Sequence, residues 1–182
     1  PKRTESFVKD QETDFSWSSA SGMRLRGNAF VHKGNFAVAF RLIPKVHTLA
    51  ELNLPQALEI FARKKQGFFL VVGPVGHGKS TTLAAMIDMI NHERTEHIIT
   101  IEDPIEYIFE PDKSIIDQRE VGIDTNNFES ALQSSFRQDV NVLIIGEMRN
   151  PETMAAAVTA AETGHLVLST LHTNNASQTI DR

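Results

Sequence analysis

With 182 residues, 41% hydrophobic and 23% charged side chains, the chain holds enough apolar material for one folded domain and part of another, and too much for a disordered segment. A net charge of −5 argues against an extended nucleic-acid surface, and the lack of cysteine excludes disulfides and thiolate metal sites. No apolar run approaches the ~20 residues of a membrane span, and no signal peptide is recognisable. The chain starts at Pro1 and stops at Arg182 inside a helical pattern, so it reads as a fragment of a longer protein.

Residues 1–21 are polar until Asp14-Phe15-Ser16-Trp17, where alternation predicts a strand. Residues 23–30 and 36–43 also alternate, and His32-Lys33-Gly34-Asn35 between them predicts a hairpin turn. Pro44 ends this segment, giving a partial β-rich N-terminal domain over 1–44. Thr48 and Glu51 have the spacing of a helix capping box. Leu54, Leu58 and Phe61 then recur at roughly helical spacing, so a helix is expected over 52–65, closed by Gly67. A linker is expected over 45–53 and the core domain over 54–182.

From Phe68 the pattern becomes strand, loop and helix in turn. Strands are expected at 68–72, 97–101, 114–118, 142–145 and 166–168, and helices at 80–91, 128–138 and 151–162. Pro151 near the start of the last helix and Gly164 after its end fit the usual asymmetry. Alternating β and α elements with unbroken apolar strands predict an α/β fold, a parallel sheet covered on both faces.

The stretch FFLVVGPVGHGKSTT carries Gly73, Gly78, Lys79 and Ser80 in the spacing of a phosphate-binding loop. Glycines let the backbone wrap an anion and turn its N–H groups inward. Lys79 is suited to the terminal phosphates and the Ser80 hydroxyl to Mg2+, while the following helix turns its positive end to the phosphates. The loop set is Gly73, Pro74, Val75, Gly76, His77, Gly78, Lys79, Ser80 and Thr81. Glu147 follows the apolar strand 142–145, where an acid serves the Mg2+ shell or water. Glu102, Asp103 and Glu106 cluster past another strand and repel one another unless a cation is near. His165 and His172 stand at opposite ends of a further strand. Arg24, Arg26 and Arg41 lie on the N-terminal hairpin and are candidates to offset charge on a transferring phosphoryl group.

Taken together, these segments resemble the secretion ATPase superfamily of type II secretion and type IV pili, most closely its pilus-retraction branch. GPVGHGKSTTLAAMID resembles the family's Walker A segment and TIEDPIE its Asp box. QDVNVLIIGEMRNPETM resembles its Walker B region, and AAETGHLVLSTLHTNNA its His box. MRLRGNAF with FRLIP resembles the end of a PAS-like N-terminal domain. The resemblance spans residues 22–182 and implies a RecA-like P-loop NTPase core behind a partial PAS-like domain. It implies ATP and Mg2+ as ligands, with Lys79 and Ser80 on phosphate and Mg2+. Glu106 would be the general base, Glu147 the Walker B acid, and His165 and His172 the His-box pair. Arg24, Arg26 and Arg41 match arginines that complete the ATP site within or between subunits.

The implied partners are five further copies in a homo-hexamer and an inner-membrane pilus platform protein, with no nucleic acid. The implied location is cytoplasmic, peripheral at the base of the pilus machine. Three positions depart from the family pattern. His77 replaces a small Ser or Thr, Gln138-Asp139-Val140-Asn141 replaces an Asp-Pro-Asp turn, and Asn150 stands where Asp is common. Assembly and type II secretion members resemble a hairpin with R-V-S-T-L-P; the RGNAF here favours the retraction branch. A P-loop small-molecule kinase or a nucleotide switch without hydrolysis is the rival from another class.

Overall fold

The computed structural model describes residues 7–19, 24–148, 150–173, 177 and 179. The chain divides into two compact units, Pro1–Lys45 and Val46–Arg182.

The first unit is a three-stranded antiparallel sheet of β1 (Glu12–Ser18), β2 (Arg24–His32) and β3 (Asn35–Ile43), preceded by a single helical turn at residues 7–10. The β2–β3 connection is only Lys33 and Gly34, at φ 49° and 77°. Two left-handed residues match the twist of the flanking strands, which is why so tight a turn works. Phe15, Gly27 and Phe40 stand opposite one another across the three strands. The Phe15 ring covers Gly27 so closely that a Cβ there would lie 2.3 Å from it, and it meets Phe40 edge-on at 5.9 Å. Met23, the expected start of the second strand, lies outside the described residues, as does the Arg24 side chain.

The second unit holds a five-stranded, wholly parallel sheet in the order β4-β8-β7-β5-β6. Its strands are β4 (Gly67–Val72), β5 (His97–Glu102), β6 (Ile115–Glu120), β7 (Val142–Ile145) and β8 (Leu166–Leu171). Four helices accompany them: α1 (Ala57–Ala62), α2 (Lys79–Glu93), α3 (Phe128–Ser135) and α4 (Pro151–Glu162). Every residue of β7 and β8 is buried. Ile98, Val142, Ile144, Leu166 and Leu168 pack with α2 on one face of the sheet. Ile99, Leu143, Ile145 and Val167 pack with α3 and α4 on the other. This two-sided burial is why the strands are apolar without alternation, and it is the α/β arrangement expected of a P-loop core beside a β-rich N-terminal part. No described helix is long and apolar enough to cross a membrane.

Several expected elements differ. The Thr48–Glu51 capping box forms, with the Thr48 N–H donating to Glu51 Oε2 at 2.8 Å and the Glu51 N–H to Thr48 Oγ1 at 3.2 Å. It opens only one turn, because Asn53 at φ 53° ends it with Leu54 N–H bonded to Leu49 O. Pro55 keeps Leu54 from helical geometry, and α1 begins only at Ala57. Residues 46–53, expected as linker, lie in the second unit, with Leu49 buried in the α2-side core and Val46 and Leu52 packed against it. Finally, α3 stops at Ser135 rather than 138, since the chain tightens through residues 136–138 and turns at Asp139, φ 51°.

Candidate functional site

The carboxyl ends of β4, β7 and β8 bring together the loop, one acid and one histidine. β4 runs straight into the glycine loop. Gly73, Gly76 and Gly78 have φ of 153°, 79° and 81°, conformations closed to most side chains. Gly78 is the N-cap of α2, and no described side chain caps that end, so the first-turn N–H groups face the loop. Gly73 N–H donates to Leu171 O at 3.3 Å, which places the next residue, His172, beside the loop.

Lys79 is buried, 7% exposed, and its ammonium donates to Gly73 O at 2.8 Å and Pro74 O at 2.9 Å. His172 Nδ1 lies 3.3 Å from the same Nζ, and His172 Nε2 lies 3.9 Å from Glu147 Oε2. An ammonium only donates, so Nδ1 accepts and the ring proton sits on Nε2, facing the carboxylate. The imidazole thus stands between the loop lysine and the acid. Glu147 is aimed by β8. Ser169 Oγ donates to Ile145 O at 2.7 Å and Thr170 Oγ1 to Gly146 O at 2.6 Å, fixing the strand end from which Glu147 projects. A Cβ on Gly146 would press on Ile101 O and the Glu102 backbone at 3.4 Å, so β7 and β5 approach closely there.

The acid-rich segment after β5 divides its carboxylates. Glu102 points inward and accepts from Thr100 Oγ1 at 2.6 Å and from the Glu106 N–H at 3.2 Å. Burial pushes its carboxyl above the ordinary 4.5, against the hydrogen bonds that favour the anion. Glu106 is exposed on the loop that follows. Tyr107 OH meets Thr81 Oγ1 at 2.8 Å, tying this loop to the first turn of α2.

Other expected site residues lie elsewhere. His165 precedes β8 at the amino end of the sheet, where its Nδ1 is 2.9 Å from Ala160 O and its ring is 5.9 Å from that of Phe136. Six strand residues at ~3.3 Å each separate it from His172, so the structure does not bring the two histidines together. Its contacts tie α4 to β8. Arg26 and Arg41 stand directly opposite on one face of the N-terminal sheet, two like charges on neighbouring strands. His77 and Val75 are exposed at the loop tip, Val75 to 81%. Asn150 caps α4 by accepting the Thr153 N–H at 2.9 Å, a task Asp would do equally well.

Sequence reasoning placed Glu102 only in an acidic cluster suited to a cation or a base, and assigned no role to Thr100, Tyr107, Gln118, Ser169 or Thr170. Burial and partners distant in sequence make them matter, and no local spacing signals either.

Ser80 and Glu147 present a hydroxyl and a carboxylate, the hard oxygen donors that Mg2+ takes. Among the described residues no cluster of three His, Asp or Glu forms a cage.

Residues 39–182 match the family of type II/IV secretion system proteins. The type IV pilus retraction ATPase PilT of Pseudomonas aeruginosa is 47% identical over the whole chain, which covers 53% of that relative. A twitching motility protein of Neisseria gonorrhoeae is 49% identical over 97% of the chain and 47% of its own length. The crystal structure of the pilus retraction motor PilT with bound ADP superposes with a TM-score of 0.96 at 47% identity, covering 100% of this chain and 53% of that one. The chain spans about half the length of these relatives, and it belongs to the type II/IV secretion system protein family.

Proposed function

We propose that this chain carries the nucleotide site of a ring-shaped motor ATPase that hydrolyses ATP with Mg2+ to power type IV pilus retraction. The observation that supports it most is the convergence of Lys79, His172 and Glu147 at the ends of β4, β8 and β7. Relatives named for pilus retraction and twitching match the chain along 97–100% of its length, N-terminal sheet included, which favours the retraction branch over assembly or type II secretion.

In this reading the Gly73–Lys79 backbone and the α2 amino end cradle the phosphates. Lys79 leaves its loop carbonyls for the terminal phosphates. Ser80 and Glu147 would hold Mg2+, which would neutralise phosphate charge when bound. Glu106 accepts a proton from the attacking water as the water oxygen bonds to the γ-phosphorus and the bond from that phosphorus to the β,γ-bridging oxygen breaks, releasing phosphate and ADP. Arg26 and Arg41, like charges on one face, offset the developing negative charge, within the subunit or from a neighbour, and Arg24 is assigned with them. His172 holds Glu147 and the Lys79 ammonium in register. The ring is a homo-hexamer in the cytoplasm, docked on an inner-membrane platform protein.

Three variants of the complete protein test the assignment. Lys79→Ala and Glu147→Ala each lose phosphate release by about 100-fold or more, while Glu106→Ala loses it and keeps nucleotide binding. Normal turnover in Glu106→Ala would remove the base from the mechanism.

A further inference from the structure

The second unit also carries two uncharged side chains, Tyr107 and Gln118, that the chemistry above leaves without a role. Tyr107 lies one residue past Glu106, and its hydroxyl is 2.8 Å from Thr81 Oγ1 in the first turn of α2. Its carbonyl accepts from Gln118 Nε2 at 2.8 Å, and Gln118 Oε1 accepts the Phe109 N–H at 3.0 Å. Gln118 Nε2 also stands 3.5 Å from Glu102 Oε1. Gln118 is on the edge strand β6, in register with Thr100 of β5.

One planar amide therefore fixes the loop backbone on both sides of Ile108. The phenol then carries that fixation across to the helix that opens with Lys79 and Ser80. The side-chain types suit the task. A primary amide offers an NH2 that donates and a carbonyl oxygen that accepts, matching a carbonyl and an N–H two residues apart, and a phenol both gives and takes a hydrogen bond. Residues 103–110 form no helix or strand, so nothing regular holds Glu106 against the phosphate loop. Misplacing a reacting group by about 1 Å costs on the order of 100-fold in rate.

Resting on the hydrolysis reading above, we propose that Tyr107, held by Gln118, is a positioning residue that sets the register of the Glu106 loop against the phosphate loop. Neither side chain is charged, and each acts through the loop rather than on the nucleotide. Loss of the strut therefore lowers turnover and leaves nucleotide affinity alone.

The test uses the complete protein and Tyr107→Phe, which deletes one oxygen and keeps the ring. Turnover falls about three- to tenfold, the worth of one net hydrogen bond, with fluorescent-ADP affinity within about twofold of wild type. Gln118→Met lowers turnover likewise, and the double variant is no worse than the poorer single, because both cut one strut. Wild-type turnover in Tyr107→Phe, an equal loss of ADP affinity, or multiplied losses in the double variant would each overturn the proposal. If the wild type itself releases no phosphate, the hydrolysis reading fails, and amide hydrogen exchange then decides the strut. Faster exchange across residues 105–109 in Tyr107→Phe supports it, and unchanged exchange overturns it.

Discussion

Glu102 and Glu106 show how one short acidic segment is split by burial. Both are glutamates four residues apart. Glu102 ends a strand whose four middle residues are buried, while Glu106 stands on an exposed loop. Desolvation raises the Glu102 carboxyl in the folded state, and the nearby Glu106 charge adds to it, against Thr100, the Glu106 N–H and Gln118. A raised carboxyl binds its proton more tightly folded than unfolded. That contribution to stability is complete below 4.5 and is lost as pH rises through the folded value. Melting wild type and Glu102→Gln from pH 4 upward checks this: wild type loses stability relative to the variant as pH rises, whereas parallel curves would contradict the buried acid.

What could be read at this scale followed locality. Gly73, Gly78, Lys79 and Ser80 are legible because the phosphate loop is a single run of backbone whose φ angles demand glycine. The link from Lys79 through His172 to Glu147 is not, since it spans strands that are neighbours only once β8 inserts between β4 and β7. Nor could spacing tell His172 from His165. β8 reaches Leu171, three residues beyond the expected end, and parallel pairing puts only its carboxyl end beside the loop.

Among the elements, α2 is anchored at both ends by polar bonds that its sequence does not announce. At its start Thr81 meets Tyr107. Near its end Asn91 is wholly buried, donating to Glu110 O at 2.9 Å and accepting the Asp112 N–H at 3.0 Å, while its carbonyl takes the Lys113 N–H at 3.1 Å. Asn91 therefore ties the helix to the connection that delivers β6. Asn91→Leu strands one part-buried N–H and one carbonyl and is expected to cost about 1–2 kcal/mol by urea unfolding; a loss under about 0.5 kcal/mol would mean that water replaces both bonds. The helix expected over 52–65 failed for a related reason. Leu54, Leu58 and Phe61 keep helical spacing, but the left-handed Asn53 and Pro55 between them divide the segment into a turn and α1. Leu49 makes that turn part of the core, which charge and periodicity alone did not reveal.

At the scale of the whole molecule, the parallel sheet follows from strands that are apolar throughout, and the order β4-β8-β7-β5-β6 places the loop, Glu147 and His172 at one edge of carboxyl ends. Apolar patterning predicted the sheet but not its strand order, because order depends on which crossover helix covers which face. The N-terminal sheet is a separate, first unit with its own register and with Arg26 opposite Arg41. Its proposed part is to supply positive charge, so Arg26→Ala and Arg41→Ala are expected to lower turnover in the ring while leaving the second unit folded.

The most direct measurement is Mg2+-dependent phosphate release by the complete protein, resolved by oligomeric mass. The account predicts turnover that rises with the hexameric fraction and disappears in Lys79→Ala and Glu147→Ala. A wild-type hexamer that binds nucleotide without releasing phosphate, or a monomer as active as the ring, would contradict it.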